Sequence, residues 1–317
     1  MIAVTGEALI DLIVDARGRC HARPGGGPYN VARTVARLGQ QSAFLGRLSG
    51  DRFGRLLQAS LDQDGVITAI PEPVTAPTTL AIADLDEAGV PSYAFYLAGT
   101  SACALDYPLL AAALPPTTRA LHAGTLGLVA DPIAGSIERL IRSDLPPDTL
   151  LMIDPNCRAD AITDPARYLD RINRILGRAD VVKVATEDLA YLCPGATAAA
   201  AAATLRDRGA GLILVTDGPR TVRAIAASGE ITVAVPQADV VDTIGAGDAF
   251  GGAFLAWWVG NGLTRSDLAE PGAVRAALAA AVEVAAVTCT RAGAEPPWAA
   301  ELAGRTGWSW LAAAKGA

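Results

Sequence analysis

An acidic side chain set directly behind a Gly-Ala-Gly turn has chemistry in it. The stretch Val241 to Phe254, VDTIGAGDAFGGAF, contains one: Asp242 precedes Gly245, Ala246 and Gly247, and Asp248 follows at once, before a run of small apolar residues. The pattern predicts a loop opening a helix. The first N–H groups of a helix have no partner within it, and the aligned peptide dipoles leave partial positive charge there, so such an end can hold an anion. Glycine lets the backbone come close to a phosphate. A carboxylate inside an anion-binding loop makes sense where it does what the donors cannot, such as taking a proton from an attacking hydroxyl. That combination outlines phosphoryl transfer. The same tetrapeptide is also an ordinary helix start, with Asp in a first turn that favours carboxylates anyway, so alone it decides nothing.

A second glycine stretch lies near the other end, Gly25 to Gly39, GGGPYNVARTVARLG. It predicts a turn leading into a helix, because Val31, Val35 and Leu38 recur at helical spacing. Gly26 and Gly27 would let backbone N–H groups reach a ligand, and Asn30 carries a donor and an acceptor, which suits a hydroxyl. Arg33 and Arg37, one helical turn apart, read as a solvated face. Ahead of this stretch, Ile2 to Val4 predicts a short strand followed by Gly6-Glu7-Ala8-Leu9-Ile10-Asp11. Ligands of open α/β sheets bind outside the carboxyl ends of strands, where Asp11 could hold a substrate hydroxyl. A plain turn aspartate is the other reading.

Composition bounds the elements that must carry these groups. The 317 residues suit one large α/β domain, alone or with a small appendage. Hydrophobic content of 51% against 19% charged excludes global disorder. A net charge of −7 and a pI near 4.9 argue against nucleic acid or an anionic membrane as partner, so a nucleotide would have to be held by local donors. No basic segment leads into an N-terminal apolar run, and the apolar run around Ala249 to Val259 is too short to span a bilayer. The expected location is the cytoplasm. The five cysteines, Cys20, Cys103, Cys157, Cys193 and Cys289, form no close pair and read as free thiols. With His21 and His122 alone, a histidine-rich metal site is not expected.

Between the two glycine stretches, Phe44 to Val66 predicts a strand, an exposed turn at Ser49-Gly50-Asp51 and a helix ending at Gly65. Leu12 to Pro24 predicts a strand, a turn at Arg17-Gly18 and a return, and Thr78 to Leu97 a hairpin turning at Asp86-Glu87-Ala88-Gly89. Together they could form a small sheet off the main domain. Tyr93, Phe95 and Tyr96 would pack its core or line its face, with packing preferred. After Ser101, strands and helices alternate in the manner of a parallel sheet covered on both faces. The strands expected are Ala120 to Thr125, Leu150 to Asp154, Asp180 to Val184 and Leu212 to Thr216. Antiparallel strands at Thr221 to Ala227 and Glu230 to Val235 follow, then the Asp248 motif and a helix from Val274 to Thr290.

The two glycine stretches, in this order in one chain, resemble the paired signatures of the PfkB/ribokinase family of carbohydrate kinases, and the intervening segments fit. GEALID, DPNCR at Asp154 to Arg158 and TRAGAEPP at Thr290 to Pro297 look most like bacterial fructokinases. The resemblance implies a ribokinase-like Rossmann-type sheet with helices on both faces plus a small β-sheet lid. The core would be 1–11, 25–77 and 98–317, the lid 12–24 and 78–97. It implies ATP and magnesium, with potassium as a further ion. Asp248 would be the base, Gly245, Ala246 and Gly247 the anion hole, and Asp11, Gly26, Gly27 and Asn30 the sugar contacts, while Arg158 would bind substrate by steadying a sugar oxygen or the transferred phosphate, an arginine fixing the turn being the other reading. Lys183, Glu187, Thr216, Gly218 and Gly247 would face the nucleotide. Asp242 and the Ile244 carbonyl would hold a monovalent cation, and Glu187 would reach magnesium through water. Val184 stands where many members have the Asn of an Asn-x-x-Glu group, which weakens that role of Glu187. Asp51 and Phe53-Gly54 match a structural element. Apolar Leu97, where relatives acting on sugar acids often carry arginine, leans toward a neutral sugar. The expected acceptor is fructose, with ribose, a nucleoside or 2-keto-3-deoxygluconate as alternatives, a non-catalytic sugar sensor as a remote one, and a homodimer formed through the lid.

Overall fold

The computed structural model describes residues 1–14, 18–85 and 91–308. Its strands are β1 (Ile2–Thr5), β2 (Leu9–Val14), β3 (Cys20–Gly25), β4 (Ser42–Leu45), β5 (Ile67–Thr68), β6 (Thr79–Leu85), β7 (Pro91–Tyr96), β8 (Ala120–Gly124), β9 (Leu150–Asp154), β10 (Val181–Ala185), β11 (Leu212–Thr216), β12 (Thr221–Ala226) and β13 (Gly229–Ala234). The helices are α1 (Gly27–Arg37), α2 (Arg52–Asp64), α3 (Tyr107–Ala113), α4 (Ile133–Arg139), α5 (Pro165–Leu176), α6 (Thr186–Leu192), α7 (Ala198–Asp207), α8 (Ala246–Gly260) and α9 (Pro271–Cys289). Nine strands form one sheet in the order β13-β12-β11-β10-β9-β8-β1-β4-β5. From β11 to β5 all neighbours run parallel, and β12 and β13 add an antiparallel edge.

Side chains alternate across a strand, so each buried strand feeds two cores. Ile2, Val4, Phe44, Met152, Val181 and Leu214 pack on one face, against residues of α1, α2, α8 and α9. Ala3, Leu45, Leu121, Ile153, Val182 and Ile213 pack on the other, with residues of α3 to α7. This double burial explains the near-continuous apolar runs. Helix α8 owes its small residues to a close crossing with α1. A Cβ added to Gly252 would lie 2.7 Å from Thr34 Cβ. The long helix α9 has the length and mean hydropathy, 1.6, of a membrane span, a stretch the apolar-run reading passed over, but half of it is buried within the fold. It packs on α8 as a core helix.

The second sheet has four strands in the order β3-β2-β6-β7, with β2 and β6 parallel and the outer pairs antiparallel. Its segments are those expected for the lid, with one shift: β2 begins at Leu9. Asp11 therefore sits within a strand, opposite Arg23 and Ala81, rather than in a turn after β1. Arg17 and the turn expected at Asp86 to Gly89 lie outside the described residues; Gly18 is described, at φ 74°. Phe95 and the buried Leu97 pack with Leu9, Ala81, Ala102, Cys103 and Leu126 beneath this sheet. Tyr93 and Tyr96 do not pack as expected: they are 46% and 57% exposed, on a strand with no neighbour beyond it. The turn before α2 is also less exposed than expected. Ser49 is buried, and Asp51 caps the helix through Gly54 N–H at 2.8 Å while accepting from Thr78 N–H and hydroxyl.

Candidate active site

Gly245 ends the loop before α8 with φ 75°, a left-handed conformation that an L side chain resists, and it caps the helix. Ala246, Gly247 and Asp248 form the first turn. The Ala246 N–H is turned back to the Thr243 carbonyl at 3.2 Å, so a phosphate would share that donor. Behind the turn lies a buried cation. A Cβ on Gly247 would stand 2.9 Å from Lys183 Nζ, which pairs with Asp154 Oδ2 at 2.9 Å. Burial alone would lower the Lys183 pKa, but Asp154, Asp188 and Asp248 raise it above its ordinary value, so the ammonium keeps its charge.

Asp248 is buried, and its Oδ2 accepts from Asn30 Nδ2 at 2.9 Å. Burial pushes its carboxyl above the usual aspartate range, while the Asn30 hydrogen bond and the Lys183 and Arg158 charges pull the other way. Its Oδ1 faces the glycine turn: a Cβ on Gly27 would be 3.3 Å from it. That turn has no room for side chains, since a Cβ on Gly26 would strike the Glu7 carbonyl at 2.7 Å. Among the described residues Asn30 Oδ1 is buried without a partner, an acceptor left for a hydroxyl donor. Asp11 lies within reach of the same charges. Burial, then the Asp248 charge, raises it to about 6, and Arg158 opposes them. Gly27, Asn30 and Asp248 are thus direct neighbours, with Gly26 beside Gly27, and the charge of exposed Arg158 acts on both Asp11 and Asp248.

The expected nucleotide residues lie at the neighbouring strand ends. Thr216 closes β11 and donates to the Val184 carbonyl at 3.4 Å, and Gly218 turns the chain at φ 52°. Exposed Glu187 follows β10 in the first turn of α6, where its carboxylate accepts from Thr186 Oγ1. Asp242 fastens the loop before the cradle: Oδ1 accepts from Ile244 N–H at 3.0 Å and Oδ2 from Gly293 N–H at 2.8 Å. Among the described residues no group of three His, Cys, Asp or Glu side chains is placed to hold a metal ion.

Three groups at the site were not singled out from sequence. Glu7 is fully buried and joins two loops, accepting from Gly27 N–H at 3.0 Å and Gly127 N–H at 2.9 Å. Thr125 and Asn156 hold φ values of 51° and 38°, which non-glycine residues seldom adopt, and Asn156 Nδ2 donates to Thr125 Oγ1 at 3.4 Å. A Cβ on Gly27 would meet that Oγ1 at 2.3 Å, so Thr125 forms part of the same wall. Asn156 lay inside the quoted DPNCR stretch, and Glu7 inside GEALID; Thr125 gave no signal. Arg33 and Arg37 correct the expectation of a solvated face. They are 4% and 6% exposed, because the end of α2 and the segment before Trp298 close over them and supply Asp64 and Glu295 as partners.

The model of the pfkB family of carbohydrate kinases matches residues 1–301. A fructokinase of Klebsiella pneumoniae is 33% identical over 267 residues, covering 83% of this chain and 85% of that protein. The crystal structure of a Xylella fastidiosa fructokinase with bound ATP superposes with a TM-score of 0.85 at 27% identity, over 98% of this chain and 97% of the other. A double-mutant fructokinase from Vibrio cholerae O395, in its fructose-, ADP- and potassium-bound form, gives 0.78 at 27% identity over 92% and 93%. With a family model matching residues 1–301 and the sheet architecture in agreement, this chain belongs to the pfkB family of carbohydrate kinases.

Proposed function

We propose that the chain transfers the γ-phosphoryl group of ATP to a primary hydroxyl of a sugar, with fructose the favoured acceptor. The observation that carries this reading is the buried Asp248, held by Asn30 in the first turn of α8 beside the Gly245–Gly247 turn. Asn30 occupies Oδ2, which leaves Oδ1, on the side of Gly27, to take the proton. The hydroxyl oxygen forms its bond to the γ-phosphorus as its proton passes to Asp248, and the bond to the bridging oxygen breaks, releasing ADP. The cradle amides and the Lys183 ammonium behind Gly247 offset charge on the phosphates. Arg158, whose charge already acts on both Asp11 and Asp248, guards the acceptor side.

Magnesium carried with ATP would supply charge neutralisation at the phosphate oxygens. Among the described residues no carboxylate cluster is placed to hold it, so phosphates and water would hold the ion, with exposed Glu187 nearest in role. For a monovalent cation such as potassium, the Asp242 carboxylate and the Ile244 carbonyl are hard oxygen donors of the right kind. Residues 9–14, 20–25, 79–85 and 91–96 act in this reading as a lid excluding water, the competing acceptor. Its exposed Tyr93 and Tyr96 are the surface through which two copies would pair. A cytoplasmic enzyme with free thiols completes the reading.

The test is Asp248→Asn. Removing a general base costs about 10²–10⁴ in rate, so kcat should fall by that factor while fructose binding without nucleotide persists. A variant within severalfold of the wild-type kcat would remove Asp248 from the role of base.

A further inference from the structure

Arg33 and Arg37 take no part in the chemistry above, yet burying two guanidinium groups is costly unless every partner is in place. Carboxylate partners stand beside both, although the Arg37 Nε–Asp64 Oδ1 contact is an ion pair without hydrogen-bond geometry. Arg33 Nε meets Asp64 Oδ2 at 2.6 Å, and Arg37 Nε meets Asp64 Oδ1 at 3.0 Å. Arg33 Nη2 and Arg37 Nη1 reach the two oxygens of Glu295 at 3.1 and 2.7 Å. Burial alone would push the Glu295 carboxyl up, but the two arginines hold it below its ordinary value. The arginines also donate to backbone: Arg33 Nη1 to the Ala294 carbonyl at 3.3 Å, Arg37 Nη1 to the Pro296 carbonyl at 2.8 Å.

The held segment has no regular structure of its own from Arg291 to Pro297. Helix α1, by contrast, is fixed by its own core packing through Val31, Val35 and Leu38. The arginines therefore order the segment rather than the helix. What rests on the segment is the cradle. A Cβ on Gly245 would lie 2.4 Å from Ala294 Cβ and 2.8 Å from its Cα, so Ala294 is the floor under the turn that caps α8.

We propose that Arg33 and Arg37 are positioning residues for phosphoryl transfer: by gripping Ala294, Glu295 and Pro296 they fix the floor beneath Gly245, and with it the aim of the Gly245–Gly247 amides at the nucleotide. The proposal rests on the reading of that turn as the phosphate cradle. Misplacement by about 1 Å can cost about 10²-fold in rate, which sets the scale of the effect.

Two variants test it. Glu295→Ala removes a half-exposed partner, and Arg37→Met keeps the apolar stem under Trp298, over whose ring the guanidinium lies at 5.1 Å. Steady-state kinetics with fructose and ATP, fructose affinity without nucleotide and Tm are measured for each. The expected result is a kcat/KM for ATP about 10- to 100-fold lower, with unchanged fructose affinity. Arg37→Lys, which keeps charge but not the fork, should fall between wild type and Arg37→Met. A fall in Tm with wild-type kcat/KM for ATP would overturn the proposal, as would equal losses toward both substrates. Should Arg37→Met fail to fold, Glu295→Ala decides. Asp248→Asn, measured alongside, separates the two claims: if it stays active, the proposed base has failed whatever the clamp variants do, and if it is dead while the clamp variants are normal, only the clamp has.

Discussion

Three carboxyl groups, Asp248, Asp11 and Glu7, crowd around the glycine turn, and burial raises all of them, Asp11 to about 6 and Glu7 to about 8. With Asp248 as the proposed base, activity would depend on proton loss from a group that burial holds above the ordinary aspartate value of 3.8. The acid limb of kcat/KM for fructose should accordingly lie above the ordinary aspartate value, with an apparent pKa that belongs to the coupled Asp11 and Asp248. A limb near the ordinary 3.8 would contradict it. Stability runs the other way. A carboxyl raised on folding contributes stability that is full below its unfolded value and lost as pH rises through the folded one, so Glu7 gives up its share between about 4.5 and about 8. At this scale the sequence was informative where chemistry uses glycine and acid together, as at Asp248 and Gly26-Gly27. It was silent on Thr125, because an unfavourable backbone angle leaves no trace in residue type.

Elements were legible to the extent that one local period governs them. The parallel strands sit within a residue or so of expectation, since double burial demands continuous apolar runs, and α2 ends at the left-handed Gly65. Two of the misreadings share one cause, partners brought from elsewhere in the chain. Arg33 and Arg37 look solvated by helical spacing and are buried by Asp64 at the end of α2 and by residues more than 250 positions away. Asp11 looks like a turn residue and becomes strand because β6 pairs beside it. The small residues of α8 likewise serve a partner, for Gly252 allows the approach of α1 at Thr34 that brings Asn30 to Asp248. Gly252→Val should force the helices apart, with overpacking costing about 1–3 kcal/mol in chemical denaturation. Activity should fall further than stability, because the Asn30–Asp248 bond lengthens. A variant with wild-type stability and turnover would show that the crossing has slack.

At the scale of the whole molecule, one nine-stranded sheet makes neighbours of residues 218 positions apart, Asn30 and Asp248, and stands a four-stranded sheet beside them. Net charge of −7 makes the local donors, Lys183 and the cradle amides, the more necessary for holding a polyanion. The acceptor is the part the fold leaves most open, since in the proposed site the sugar would meet segments from both sheets. The most direct measurement is ADP release with magnesium and ATP across fructose, ribose, adenosine, 2-keto-3-deoxygluconate and other ketoses. Selective turnover of fructose is the predicted result. Turnover of another member alone would keep phosphoryl transfer and refute the fructose assignment, and silence across the panel at high concentration would contradict the assignment of this site as a sugar kinase.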